Sequence, residues 1–164
     1  MKKIIVISGT PGTGKTTLAN KLSLLFKKKA INISNFAKKH SLLEEFDEKR
    51  DTFELSEEKL VKKLMEEIEK SEDLMFIEGH MSHFLPKNRV KLCIICKCEL
   101  KELKKRLEKR KYSENKVKEN LECEIFDICL NEAIEKDHKI KILDCTKIDK
   151  KIIDSIKKII EKSN

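Results

Sequence analysis

An α/β fold with a parallel sheet is predicted by three features of this chain. Residues 9–16 read Gly-Thr-Pro-Gly-Thr-Gly-Lys-Thr and fit the glycine-loop pattern G-x-x-x-x-G-K-[ST]. A β-branched apolar run, Lys3-Ile4-Ile5-Val6-Ile7-Ser8, precedes the loop and suits a buried parallel strand. Beyond the loop, apolar runs alternate with helical stretches, the order that builds a sheet flanked by helices. The chain holds only 4 glycines in 164 residues, and three of them stand in this one loop. A chance glycine turn does not account for that concentration.

Residues 2–8 form the first predicted strand. Residues 14–29 form the first helix, with Leu18, Leu22, Leu25 and Phe26 apolar. Lys27, Lys28 and Lys29 close it, where cations oppose the helix dipole. Residues 30–34 read as a short second strand, and Ser34 as the cap of a short helix over 35–40. Residues 41–55 read as polar, irregular and acidic, with Glu44, Glu45, Asp47, Glu48 and Asp51. Ser56 caps a helix whose stripe is Leu60, Val61, Leu64, Met65 and Ile68. Residues 74–77 form the third strand, ending at Glu78-Gly79-His80, and 91–98 the fourth. Residues 99–111 predict a basic helix with Leu100, Leu103 and Leu107 inward. Ser113 opens another long helix carrying Val117, Leu121, Ile125, Ile128 and Cys129 on one face. Residues 139–145 are the fifth strand and 149–162 the closing helix. The expectation is a five-stranded parallel sheet in a single domain over 1–164, without repeats or linkers.

The glycine loop defines the P-loop NTPase class. A triphosphate packs several negative charges into a small volume. Inward-pointing backbone N–H groups and the positive end of a helix dipole meet that charge. Gly9, Gly12 and Gly14 allow close approach of the backbone. The candidate nucleotide-binding residues are Gly12, Thr13, Gly14, Lys15, Thr16 and Thr17. Lys15 is expected to reach the β and γ phosphates and the Thr16 hydroxyl to ligate Mg²⁺. Thr17 adds a hydroxyl near the α phosphate.

Charged residues make up 40% of the chain and the net charge is +8, which suits anionic partners such as nucleotides and RNA. No run approaches the length of a membrane span, and the short apolar run after Met1-Lys2-Lys3 is too short for a secretory signal. A cytoplasmic location with six reduced cysteines is therefore expected. Cys93, Cys96 and Cys98 sit in an apolar strand-like run without a second ligand pair at finger spacing. They read as core residues rather than zinc ligands.

A P-loop site needs an acid at the end of a nearby apolar strand to hold Mg²⁺, and Phe76-Ile77-Glu78 supplies one. His80 lies just beyond that strand, where ligands bind in open α/β sheets, and can orient a water or an acceptor hydroxyl. His83 reads as a loop histidine without a role. Between Lys101 and Lys118 nine Lys or Arg face three Glu. Most of these lysines form a solvated face. Arg106 and Arg110, one helical turn apart, are candidates for phosphate contact beneath a closing lid.

Five stretches together carry a family resemblance: residues 9–17, Asn32-Ile33-Ser34-Asn35-Phe36-Ala37, Glu78-Gly79-His80, Arg106-Leu107-Glu108-Lys109-Arg110-Lys111-Tyr112, and Asn120-Leu121-Glu122-Cys123-Glu124-Ile125-Phe126. In this order they resemble the adenylate kinase isoenzyme 6 family, whose eukaryotic members are also called coilin-interacting nuclear ATPases, and the chain looks like an archaeal-type member. The last two stretches are the specific ones, since many NTPases share the loop. The resemblance implies a nucleoside monophosphate kinase-like fold, an NMP-binding part over about 32–55 and a short lid over about 109–119. It implies phosphoryl transfer from Mg²⁺-ATP to AMP or a similar acceptor, with ATP hydrolysis. It further implies late maturation of the small ribosomal subunit and its rRNA. That role runs through a platform ribosomal protein and a transient contact with pre-rRNA or the subunit.

By motif position Lys15, His80 and Arg110 take the catalytic roles. Thr16 and Glu78 take the metal role. Where the family usually writes Asp-x-His, this chain has Glu78, one methylene longer. Where the family often has arginine at the acceptor side, this chain has Lys38, a point charge without a bidentate fork, and Arg50 is the substitute. Two further readings are an ATPase assembly switch with incidental kinase activity and a small-metabolite kinase. A pure RNA-binding module is disfavoured, because the chain has one Tyr, no Trp and no stacking motif.

Overall fold

In the computed structural model, which describes residues 3–162, strand β1 (Ile4–Ser8) lies at the middle of the sheet. All of its residues are apolar or small, and all are buried. It pairs in parallel with β5 (Met75–Glu78) on one side and β6 (Val90–Lys97) on the other. β2 (Ala30–Asn32) adds outside β5 and β7 (Ile140–Asp144) outside β6, so the order is β2-β5-β1-β6-β7, parallel throughout. Register brings Ile7 and Asn32 opposite Glu78. The polar ends of three strands thus meet at one edge, on the side where ligands bind in this class of sheet.

Both faces are covered, which is why the strands read as continuous apolar runs. Ile4 and Val6 join Ile31, Leu60, Leu64, Ile77 and Ala133 in one core, beneath α3 (Glu57–Glu69) and α6 (Ile128–Glu135). Ile5 and Ile7 join Leu18, Leu22, Phe76, Ile156 and Ile160 in the other, beneath α1 (Lys15–Phe26) and α7 (Lys150–Lys162). Each fully buried side chain of this size contributes about 1.5–3 kcal/mol relative to exposure. A third cluster joins α4 (Leu100–Lys109) to α5 (Glu114–Ile125) through Leu103, Leu107 and Val117.

Several local expectations are corrected. Residues 41–55 are not irregular: β3 (Leu43–Asp47) and β4 (Thr52–Leu55) form an antiparallel hairpin. Its turn is held by Asp47 Oδ1, which accepts from the amides of Lys49 at 2.9 Å and Arg50 at 3.1 Å. Phe46 and Phe53 meet edge to face at 5.0 Å across the ladder. The short helix α2 (Ile33–Lys39) starts earlier than expected, because Asn32 rather than Ser34 caps it and accepts from the Asn35 amide at 2.8 Å. Helix α1 stops at Phe26, with Lys27 turned into the left-handed region, so the three lysines lie past its end. Leu100 is exposed, not inward.

The long helix expected after Ser113 is two helices. Asp127 breaks it with φ 54, and Ile125 and Ile128 are exposed as a result. Lys97 explains the break: its ammonium pairs with Asp127 at 2.6 Å and binds the Glu124 carbonyl at 2.8 Å, drawing the chain toward β6.

Candidate active site

A cleft of about 1180 Å³ opens over the C-terminal edge of the sheet. The glycine loop forms its floor. Gly9 has φ 136, and a Cβ there would lie 2.4 Å from the Cys96 carbonyl oxygen, so no other residue fits. Gly14 heads α1 with no side-chain cap, leaving the helix N-terminus open to an anion. Lys15 is 8% exposed, and its ammonium donates to the carbonyls of Gly9 at 2.8 Å and Thr10 at 2.9 Å. Burial pushes its pKa below the ordinary lysine value, and the Glu78 carboxylate is among the groups acting against that shift.

The Thr16 hydroxyl donates to Glu78 Oε1 at 2.9 Å, and the Asn32 amide donates to the same oxygen. Glu78 is buried at the end of β5, beside Gly79. Gly79 carries φ 152 and abuts Ile33 at 2.9 Å from a notional Cβ, so only glycine lets the chain turn there. The extra methylene of Glu78 therefore does not keep the carboxylate away from Thr16. A hydroxyl and a carboxylate in direct contact are the hard oxygen donors that Mg²⁺ takes while keeping several waters. Among the described residues, no cluster of three or more His, Cys, Asp or Glu could hold a metal on its own.

His80 faces the cleft. Desolvation there, together with the Lys15 ammonium, lowers its pKa to about 4, so the imidazole is neutral near pH 7. Its carbonyl oxygen lies 3.3 Å from the Ser8 hydroxyl oxygen. Arg110 ends α4, lines the cleft and has no side-chain partner among the described residues. Arg106 also lines the cleft, but its guanidinium is spent on protein. It binds Glu102 at 2.9 Å and the carbonyls of Gly12 at 3.3 Å, Cys145 at 3.5 Å and Thr146 at 2.5 Å. In this arrangement Arg106 clamps the glycine loop to the segment after β7.

Thr17 is exposed and lines the cleft. Thr13 is buried and donates to the Thr10 carbonyl at 2.8 Å, which leaves only its backbone for a ligand. Arg50 and Thr52 reach the cleft from the hairpin, whereas Lys38 is exposed on α2 and is not among the lining residues. Cys93 and Cys96 point into opposite cores, which no single metal could bridge.

Two residues without a predicted role support the loop. His83, expected to be an exposed loop residue, is fully buried in a 3-10 turn over Ser82–Phe84. One ring nitrogen meets the Ser8 hydroxyl at 2.6 Å, and the other meets Glu132 at 2.9 Å. Burial lowers the His83 pKa to about 4. The consistent assignment has Nε2–H donating to Glu132 and Nδ1 accepting from Ser8. Glu124, also buried, accepts from the Thr10 hydroxyl at 2.7 Å and from the Cys98 amide at 2.9 Å, and pairs with Lys97 at 3.2 Å. The stretch around Glu124 carries the family resemblance, the one signal that singles it out in sequence.

Comparison with known proteins places this geometry. A family described as an AAA domain matches residues 5–127. A Methanocaldococcus jannaschii protein named "Putative adenylate kinase" is 39% identical over 155 residues, covering 93% of this chain and 85% of the relative. A Caenorhabditis elegans protein named "Adenylate kinase isoenzyme 6 homolog" is 35% identical over 135 residues, covering 80% and 72%. The chain belongs to the adenylate kinase isoenzyme 6 family. A solved deoxyadenosine kinase from M. mycoides with bound dATP shares the fold, with TM-score 0.64 at 14% identity, covering 97% of this chain and 99% of the other. In this member of the adenylate kinase isoenzyme 6 family, Glu78 and His80 stand two residues apart at the end of the strand beside β1. Among the described residues, no helix is long and apolar enough to cross a membrane.

Proposed function

We propose that the protein is an Mg²⁺-ATP-dependent nucleoside monophosphate kinase, converting ATP and AMP to two ADP, with ATP hydrolysis as a second activity. The observation that carries this reading is the Thr16–Glu78 contact on the floor of a cleft with cations on two walls. Lys15 and Arg110 stand on the loop side and Arg50 on the hairpin side. The names of the relatives support the substrate class.

In this reading the donor phosphates lie along the loop amides and the open N-terminus of α1, with Lys15 on the β and γ phosphates. The NMP-binding part is about 32–55, which includes the hairpin, and Arg50 holds the acceptor phosphate there. An acceptor oxygen attacks the γ phosphorus in line, the bond to the bridging oxygen breaks, and ADP leaves. Arg110, at the start of a lid over about 109–119, offsets charge on the group in transit. Mg²⁺, when bound at Thr16 and Glu78, neutralises phosphate charge. An acceptor phosphate, with a second pKa of about 6, is already ionised, so transfer to it needs no base. Attack by water does need its proton oriented, and the neutral His80 imidazole can accept it.

A cytoplasmic role in late maturation of the small ribosomal subunit, beside a platform ribosomal protein, completes the proposal and rests on the family resemblance alone. ADP and free phosphate are to be measured separately, with ATP alone and then with each NMP. NMP-dependent ADP without free phosphate supports the kinase. Phosphate release indifferent to every NMP overturns it in favour of an ATPase switch, and turnover only with small hydroxyl acceptors favours a metabolite kinase.

A further inference from the structure

Among the described residues, the carboxylates that line the cleft are Glu78, Glu119 and Glu132. Glu78 is held by Thr16 and Asn32, and Glu119 is exposed. Glu132, on α6, has no part in the kinase reading, yet it is built in firmly. Its Oε2 lies 2.9 Å from Nε2 of the fully buried His83, whose Nδ1 lies 2.6 Å from the Ser8 hydroxyl. With Nδ1 accepting from Ser8, Nε2–H donates to Oε2 and leaves Oε1 for a ligand. The adjoining surface is apolar. Ile128 stands one turn before Glu132 on the same face of α6, and Lys136 one turn after it at the helix end. The Lys136 ammonium pairs with Glu57 at 2.9 Å and lies 5.1 Å from the centre of the Phe84 ring, so Phe84 packs beside this stripe. Met81, Phe84 and Ile128 all line the cleft.

A carboxylate repels phosphate, so this wall meets a different part of the acceptor. An apolar surface bordered by one fixed acceptor oxygen suits the flat face of a nucleobase with an N–H donor at its edge. Resting on the kinase reading, we propose that Glu132 sets acceptor specificity: its Oε1 accepts from the exocyclic 6-amine of the acceptor adenine, while Met81, Phe84 and Ile128 pack on the base. A purine with a carbonyl at C6, as in IMP, brings oxygen against oxygen there. A purine with only hydrogen at C6 leaves Oε1 unpaired in a half-buried wall. Both should bind less tightly than AMP.

The anchor at His83 gives the proposal a direction. In Glu132→Gln the amide oxygen stays on the His83 Nε2–H, and the NH2 group turns to the cleft, a donor in place of an acceptor. That variant should turn from adenine toward hypoxanthine, whose O6 accepts. A merely structural role for Glu132, as support for His83 and through it Ser8, has a different signature. It would weaken every acceptor alike and leave the ratios between them unmoved.

The test uses the full chain at pH 8, because burial, with Glu135 and Glu57 nearby, raises the Glu132 pKa above the usual carboxylate value. With the donor site filled by Mg²⁺ and a non-hydrolysable ATP analogue, titration calorimetry compares AMP, IMP and purine riboside 5′-monophosphate. AMP should bind about 10–100-fold tighter than either of the others. In Glu132→Gln the preference for AMP over IMP should fall by about tenfold or more. In Glu132→Ala, AMP and purine riboside monophosphate should bind within about twofold of each other. No AMP binding, equal affinities in the wild type, GMP tighter than AMP, or ratios unmoved in Glu132→Gln overturns the proposal. So does a preference lost with 2′-deoxy-AMP, which would put Oε1 on the ribose. The wild-type series stands even where a variant fails to fold. ADP formation from ATP and AMP is measured beside it. Turnover without base preference overturns this proposal alone, and selective AMP binding without turnover overturns the kinase reading alone.

Discussion

The two halves of the cleft are built differently. The loop side is braced from behind: Ser8 by His83, Thr10 by Glu124, and Gly12 by Arg106. Each bracing group is itself held by a further partner, Glu132, Lys97 and Glu102. The hairpin side is a two-stranded ladder whose residues are mostly exposed. Its ties to the rest include Lys116, which donates to the Asp51 carbonyl at 2.6 Å, and Lys59 paired with Glu44 at 2.6 Å. Hydrogen-bonded, buried donors fix geometry before the ligand arrives, whereas an exposed ladder opens at low cost. On the proposed reading the difference is a division of labour: the triphosphate would meet a preset cradle, and the acceptor a movable one.

The largest test of the preset cradle is Lys15→Ala. A lost charge at the transferring phosphate should lower kcat by about 10²–10³-fold. Stability should hold or rise, because the wild-type ammonium is buried against its preference for water. Steady-state kinetics and calorimetry on the same sample check both halves. A large drop in Tm would mean that Lys15 holds the loop together, and the contrast with the hairpin would rest on structure alone. Gly9→Ala attacks the backbone instead. Its Cβ would strike the Cys96 carbonyl, and a loss of about 3 kcal/mol in denaturant unfolding is expected.

The sheet and the loop were legible because their signals are local. Apolar runs on both sides of a glycine pattern leave few alternatives, and Glu78 follows from ending such a run. The hairpin was hidden by its register shift between Leu43 and Phe46, which breaks the alternation that marks a strand. Glu44, Glu45, Asp47, Glu48 and Asp51 then made the segment read as a charged loop. His83 and Glu124 were hidden for another reason. Their partners lie far along the chain, with Ser8 75 residues from His83 and Thr10 114 residues from Glu124. No periodicity marks a polar residue whose burial depends on such pairing. The same holds for Asp127, whose helix-breaking role depends on Lys97 of a distant strand.

The bracing of Ser8 predicts a pH dependence. His83 is neutral when folded, with its pKa lowered from 6.5 to about 4, chiefly by burial and then by His80, His138 and Lys136. The unfolded chain takes up a proton near pH 6.5 that the folded chain does not. This contribution is complete above that pH and is lost as pH falls toward 4. Between pH 7.5 and 5 the loss from this one group is about 2 kcal/mol. Urea midpoints at the two pH values measure it. His83→Gln should be less stable at neutral pH and should show a smaller drop between the two. An unchanged drop would mean that the brace titrates elsewhere.

The proposed acceptor side gives the smallest effect and the sharpest contrast. Arg50 lines the cleft from the hairpin turn, paired only loosely with Asp47 at 3.8 Å, while Lys38 lies away from the cleft on α2. Arg50→Ala should raise the KM for NMP about tenfold, near 1.4 kcal/mol, with the KM for ATP unchanged. Lys38→Ala should leave both constants within about twofold. Equal effects of the two variants on NMP would place the acceptor nearer α2 than the hairpin. A shift in the ATP constant with Arg50→Ala would couple the two halves. The Lys116 contact to the Asp51 carbonyl, beside Arg50, supplies the route for such coupling, since it joins α5 to the hairpin turn. A double variant with Lys116→Met separates the cases. Additive changes keep the hairpin an independent, movable wall, and a non-additive change makes it part of the cradle.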